Sequence, residues 1–187
     1  MTQLDTTLFL WINATDATPA GLIALARWIS AWLPALAFLA PLPWVLAGRL
    51  RHRQWLGACL AMGLAWLAMR GLRDMFHSAR PFELGLGHQW IAHAATSGFP
   101  SAHTTLATAW AVGISLLAQR HVRRWLLATG GVALLVAWSR VFLGLHFVSD
   151  IAAGLLLGTL CGLVVFQGFA WFDRRRAMRT PAPSVHS

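Results

Sequence analysis

The chain has 187 residues, 57% of them hydrophobic and only 11% charged, with a mean hydropathy of +0.58. Too few polar side chains are present to cover a water-soluble domain of this size, so the composition excludes an ordinary soluble globule. All fifteen basic residues are arginines against six acidic residues, a formal charge of +9; apolar stretches divide these arginines, so they do not line the continuous basic face that nucleic acid would need, and no nucleic-acid partner is expected.

Residues 1–19 hold an apolar run, Leu8 to Ile12, too brief to cross a bilayer, and they read as an interfacial segment. Asp5 stands where a signal peptide carries Lys or Arg, so no cleavage is expected. Five apolar windows follow, at 20–48, 55–72, 103–119, 124–143 and 147–171, against roughly 20 residues for a spanning helix. The expectation is therefore an all-α integral membrane helical bundle of five transmembrane helices, six if residues 1–19 insert. It forms one domain over 1–173 with the lipid bilayer as its surroundings. Pro34, Pro41 and Pro43 should bend or break the first span near its far end.

The links at 49–54 and 119–124 are short and basic. The connection 73–102, rich in Gly, His and polar residues, is long enough to suggest an active-site loop. Residues 174–187 read as a basic, disordered tail whose arginines suit anionic headgroups. Arg49, Arg51 and Arg53, then Arg120, Arg123 and Arg124, then Arg174, Arg175, Arg176 and Arg179 alternate onto one side of a five-span topology. By the positive-inside rule that side is cytoplasmic, which places residues 1–19 and the 73–102 loop on the outer face. Of the eleven tryptophans, Trp28, Trp44, Trp55, Trp125 and Trp171 lie near span ends, where indole rings favour the headgroup zone. Cys59 and Cys161 lie in separate apolar windows and read as small buried hydrophobes.

Three clusters of ionisable residues fall at the outer ends of these windows: Arg73 and Arg80 with Pro81, the run Pro100-Ser101-Ala102-His103, and Ser139-Arg140 followed by His146 and Asp150. If the last span is helical from about His146, Asp150 shares its face about 5–6 Å away. The carboxylate can then fix one imidazole tautomer and leave the other nitrogen with an exposed lone pair. Alone, that pair also fits a buried histidine satisfied by an aspartate. Ser101 reads as the N-cap of a helix whose first amides form an anion site, with His103 placed to give a proton to a departing oxygen. Alone, this too fits an ordinary capped helix. Arg73, Arg80 and Arg140 would repel one another at a membrane rim unless an anion lay between them, and a phosphate resolves the conflict through forked hydrogen bonds. Arg80 precedes proline, which biases it towards extended backbone. Asp74, Glu83 and Asp150 are too few and too dispersed for a two-metal site, so metal-independent chemistry without a cofactor is expected.

The order and internal spacing of these residues resemble the three-part signature of the type 2 phosphatidic acid phosphatase family, which extends to vanadium haloperoxidases. Arg73 stands where the family usually has Lys, and Ala102 where it commonly has Gly or Asp. The resemblance implies a transmembrane bundle with the site at the membrane surface. It implies His146 as the nucleophile that forms a phosphohistidine, Asp150 as the group orienting it, and His103 as the acid that later activates water. Arg73, Arg80, Ser101, Ala102 and Arg140 would hold the phosphoryl oxygens. Within the family, the small size, the segment LFLWINATDATPA and the pairing of AWSRVFLGLHFVSD with a long His-containing loop resemble the bacterial undecaprenyl-diphosphate phosphatases. That implies a lipid diphosphate substrate at the periplasmic face of the inner membrane. Phosphatidylglycerophosphate, phosphatidate or lipid A phosphatases, a phosphotransferase, and a non-enzymatic lipid-phosphate binder or flippase are the alternatives. His77, Glu83, His88 and His93 are left without a role.

Overall fold

The computed structural model describes residues 2–48, 51–118 and 121–179. Arg49 and Arg120, and the tail from residue 180 onward, lie outside the described residues. Among the described residues seven α-helices run in chain order: α1 (Gln3–Ile12), α2 (Ala20–Leu39), α3 (Leu42–Leu46), α4 (His52–Met75), α5 (Ala102–Leu116), α6 (Val122–Phe142) and α7 (Val148–Arg179). Helices are what hydrocarbon allows, because they satisfy their own backbone donors and acceptors.

Among the described residues, four helices are long and apolar enough to cross a membrane: α2 continued by α3, α4, α6 and α7. The protein is an all-α, multi-pass membrane bundle. Pro34 is accommodated inside α2, and the break comes at Ala40 and Pro41, so the proline-rich stretch yields one bent span. The expected third span is the shortest. Helix α5 has 15 residues, about 22 Å at 1.5 Å per residue, and ten of them are buried among α4, α6 and α7. A helix enclosed this way meets protein at its flanks, so its length need not match the bilayer.

Close packing of α5 on α7 rests on small residues. Gly154, Gly158 and Gly162 recur every fourth residue on α7 and are buried against α5. A Cβ on Gly158 would sit 2.5 Å from the carbonyl oxygen of Thr105. At the opposite end from the loop 76–101, the forked guanidinium of Arg53 grips Asp173 at 2.6 and 2.8 Å and donates to the carbonyl of Phe169 at 3.1 Å. That contact brings the start of α4 to the end of α7, so Arg51, Arg53 and Arg174 to Arg176 gather at one end of the bundle. The boundary drawn at 173 falls inside α7: residues 174–179 continue the helix.

Helix α1 lies across the other end. Asp5 and Phe9 are buried while Leu4, Leu10 and Trp11 are exposed, Trp11 by 84%. The helix packs on α6 and α7 through the buried pair and leaves apolar side chains on its outer face.

Candidate active site

The site forms where four helices stop or start. Arg73 is in the last turn of α4, Ser101 precedes α5, Arg140 is in the last turn of α6, and Asp150 is the third residue of α7. The loop folds over this end through its own polar groups. Gly98 N–H donates to the Ser78 carbonyl at 2.8 Å, and Ser97 Oγ donates to the Phe76 carbonyl at 3.0 Å. Ser101 N–H donates to the Asp150 carbonyl at 3.1 Å, fastening the start of α5 to the start of α7.

At the centre His146 is buried, 1% exposed. Its Nδ1 lies 3.4 Å from Asp150 Oδ2, and its Nε2 lies 3.2 Å from Nη1 of Arg80. A guanidinium only donates, so Nε2 must hold the lone pair and Nδ1 the proton, which points to the carboxylate. The pair does not arise on a helix face as the spacing suggested. Helix α7 begins at Val148, so His146 stands before it, and Asp150 reaches back over the helix start to accept from Phe147 N–H at 3.0 Å as well. Burial pushes the His146 imidazole well below its ordinary value, and the charges of Arg80, Arg140 and Arg73 push it further the same way. Nε2 is thereby kept as a free base.

Arg80 is equally buried and is held by backbone oxygens. Nε donates to the Thr96 carbonyl at 2.8 Å, Nη1 to the Leu145 carbonyl at 3.1 Å, and Nη2 to the Ser97 carbonyl at 3.4 Å and Thr96 Oγ1 at 3.3 Å. Its backbone is extended, φ −84° and ψ 161°, as the following proline demands, and a short 3₁₀ turn, Pro81–Leu84, comes next. Burial lowers its ordinary value, with Arg73 adding to the fall and Asp150 and Glu83 opposing it; a guanidinium remains a cation through such a shift. Gly98 lies against it: a Cβ there would come within 3.2 Å of Arg80 Cγ and 3.4 Å of Asp150 Oδ2.

The other expected residues border this core. Arg73 forks Nε and Nη2 onto the carbonyl of Pro100 at 3.3 and 2.8 Å, beside Ser101. Arg140 is buried, donates through Nη1 to Ser30 Oγ at 2.6 Å, and has an Nε with no protein acceptor among the described residues. Ser101 precedes α5 as expected, but its hydroxyl does not cap. It accepts from Thr104 Oγ1 at 3.1 Å, while its carbonyl takes Thr105 N–H and Oγ1. The amides of Ala102, His103 and Thr104 begin the helix and so have no intrahelical acceptor, as an oxyanion site requires. His103 is half-buried within electrostatic reach of Arg140, His146, His93 and Arg73. Three guanidiniums, two imidazoles and a helix start converge on one end of a membrane bundle. Among the described residues, no three His, Cys, Asp or Glu side chains gather as a metal ion would need.

Comparison with known proteins matches the PAP2 superfamily over residues 54–174, well over half of the chain. The chain belongs to the PAP2 superfamily. It is 30% identical over 169 residues to the "Putative undecaprenyl-diphosphatase YbjG" of Escherichia coli strain K12, covering 88% of this chain and 84% of that one. It is 31% identical over 148 residues to the phosphatidylglycerophosphatase B of Bacillus subtilis strain 168, covering 73% and 70%. The crystal structure of Aquifex aeolicus LpxE has the same fold, with a TM-score of 0.74 at 24% identity over 89% of this chain and 96% of that one. This PAP2 protein is thus a multi-pass membrane enzyme of the lipid-phosphate hydrolase type.

Several residues at the PAP2 site escape sequence reading. Thr96 and Ser97 hold Arg80 through backbone oxygens, Ser30 anchors Arg140, and Asn13 ties three segments together. Backbone acceptors leave no residue-type signature, but Asn13 sits in the segment LFLWINATDATPA, which the resemblance singled out. Glu83 accepts from Arg80 N–H at 2.7 Å and so stabilises the turn. His93 lies within the field of Arg80, Arg140 and Arg73. Burial foremost and these charges next lower its value, while its own bond to the Ala94 carbonyl opposes them. His77 lines a cavity of about 600 Å³ with Arg73, Thr96 and Ala102, and His88 pairs with Asp16 at 3.1 Å.

Proposed function

We propose that this protein hydrolyses a membrane lipid diphosphate, undecaprenyl diphosphate to undecaprenyl phosphate and inorganic phosphate, without a metal ion. The observation that carries this reading is His146, buried with its Nδ1 proton towards Asp150 and its Nε2 lone pair against Arg80. A module that only bound lipid phosphate would need the cations and not an oriented imidazole.

In the proposed reaction the substrate's terminal phosphate draws the guanidiniums of Arg73, Arg80 and Arg140 and the first amides of α5, releasing the lone pair of Nε2. Nε2 attacks phosphorus in line. The bond to the bridging oxygen breaks, and His103 gives that oxygen its proton; the phosphate's own charge offsets the surrounding arginines and favours an imidazolium there. Water then gives a proton to His103 and attacks phosphorus, the P–N bond breaks, and phosphate leaves with His146 neutral again. Asp150 holds the tautomer throughout. A second cavity, of about 380 Å³, is lined by Pro34, Phe38, Met62, Leu106 and Trp110 and reaches His103, which supports a substrate whose apolar chain lies beside its phosphate. Helix α5 is read as the fifth span, and the site as facing the periplasm of a bacterial inner membrane, because the arginine-rich end of the bundle suits the cytoplasm.

The experiment is phosphate release by detergent-purified protein with chelator present, from undecaprenyl diphosphate, phosphatidylglycerophosphate, phosphatidate and lipid A side by side. The diphosphate should give the highest kcat/KM, and His146→Ala should be inert while remaining folded. Strict dependence on added divalent metal, or near-normal turnover in that variant, defeats the proposal. Preference for phosphatidylglycerophosphate would keep the chemistry and move the substrate to that of the Bacillus relative.

A further inference from the structure

The start of α7 cannot cap itself. Phe147, the residue before it, has no side-chain acceptor, and the amides of a helix's first turn need one. Asp150 supplies an acceptor for Phe147 N–H, but not for the amide of Ser149. That acceptor comes from 144 residues away: Ser149 N–H donates to Asp5 Oδ1 at 3.0 Å and Ser149 Oγ to Asp5 Oδ2 at 2.5 Å. Asp5 is the acidic residue of α1, and it is buried.

It does not act alone. Phe9, one turn on, is fully buried with its ring 5.4 Å from that of Phe147. Asn13, a further turn on, donates through Nδ2 to the carbonyls of Phe142 and His88 at 3.1 and 3.0 Å and accepts from His88 N–H at 2.7 Å. Asp5, Phe9 and Asn13 are spaced by four and lie on one face. That face touches the chain on both sides of His146: Phe142 before it, Phe147 and Ser149 after it. Gly144, in the same short connection, has φ +80°, and a Cβ there would sit 2.1 Å from the His88 carbonyl oxygen; the connection is pressed directly against the segment Asn13 holds.

We propose that Asp5 is a positioning residue for the phosphoryl transfer, holding the first turn of α7 so that Asp150 and His146 keep their mutual register. This rests on the reading of His146 as nucleophile. Asp5 is hydrogen-bonded to Ser149, on the helix start, and its effect passes through that helix start. A nucleophile set in a non-helical connection has few local restraints, and displacement by about 1 Å can cost a hundredfold in rate.

The test is a series at position 5 in the full-length protein in detergent, with thermal melting recorded for each variant. Asp5→Ala should lower kcat on the order of tenfold to a hundredfold with KM changed less than about threefold. Asp5→Asn, which keeps an acceptor for Ser149 N–H, should recover most of the loss, and Asp5→Glu, which shifts the carboxylate by one methylene, should fall between. The second readout needs no turnover: the ¹⁵N resonances of the His146 ring, assigned by their disappearance in His146→Ala, should move or broaden in Asp5→Ala and remain in place in Asp5→Asn. Wild-type kcat and an unmoved ring signal in a folded Asp5→Ala would overturn the inference. If that variant does not fold, Asp5→Glu with kcat and ring signal equal to wild type does so instead. Absence of phosphate release by the wild-type protein would sink the functional reading alone, because the ring signal still reports whether Asp5 positions His146.

Discussion

A buried imidazole ringed by guanidinium groups has one favoured protonation state. For His146 burial and then the charges of Arg80, Arg140 and Arg73 all disfavour the imidazolium. The sign is unambiguous: the ring stays neutral as pH falls through the ordinary histidine value of about 6.5 and protonates only well below it. Since kcat/KM reports the free enzyme, its acid limb, after correction for substrate ionisation, should lie below that value; a profile from acid to mildly alkaline pH that places the nucleophile's limb at or above 6.5 contradicts the assignment. The carboxylate partner gives a second expectation. Asp150 Oδ2 serves both Phe147 N–H and the imidazole. In Asp150→Asn the amide oxygen can stand in for Oδ2 towards both donors, but it carries no charge to stabilise the ring as Nε2 takes up phosphorus; turned the other way, the NH₂ faces a ring nitrogen that carries hydrogen, and the opposite tautomer would set an N–H against Arg80. Steady-state kinetics should show kcat reduced on the order of a hundredfold or more with a smaller rise in KM. These residues were legible in the sequence because charge at the end of an apolar stretch is costly and so marks itself. Asp5 and Asn13 were not, because nothing local distinguishes a cap that serves a helix 144 residues away.

Among the elements, α5 and α7 set the distance across the site, since one supplies Ser101 and His103 and the other Asp150. Their approach is fixed by glycine. A leucine at Gly158 would begin with a Cβ 2.5 Å from a backbone oxygen, so the helices themselves must part. Overpacking of this kind costs about 1–3 kcal/mol. Gly158→Leu should therefore lower the melting temperature in detergent and cut activity, although residue 158 is two turns from Asp150. Gly130→Ala is the control: nothing lies within 4 Å of its Cβ, and it should melt and turn over as wild type. Equal behaviour of the two variants would remove the close helix contact as the setting element. Hydropathy located the start of each long helix within a few residues and stopped eight residues short of the end of α7, at 171 against 179, and it marked 103–119 as a window like the rest. Apolar windows register surroundings that exclude water, and around α5 much of that surrounding is protein, so hydropathy alone does not say how a helix's length compares with the bilayer.

At the scale of the whole molecule, charge is divided between two ends. Asp150 and Asp173 sit on one continuous helix, 23 residues apart, roughly 35 Å at 1.5 Å per residue, a little more than the hydrocarbon thickness of about 30 Å. The site and the arginine-rich end joined by Arg53 and Asp173 therefore face opposite interfaces. The sequence made this arrangement readable through the alternation of its basic links, although it could not say that Arg53 would also clasp the end of α7. Which interface is outside rests on the arginine bias and is open to direct measurement. Gln89 in the loop and Arg123 at the start of α6 are both exposed, while Cys59 is half-buried and Cys161 buried within spans, so both native thiols can be replaced by alanine. Single cysteines at 89 and at 123 in that background should differ in intact cells. A membrane-impermeant maleimide should label Gln89→Cys directly and Arg123→Cys only after permeabilisation; the reverse pattern would turn the protein over and place the phosphate site in the cytoplasm.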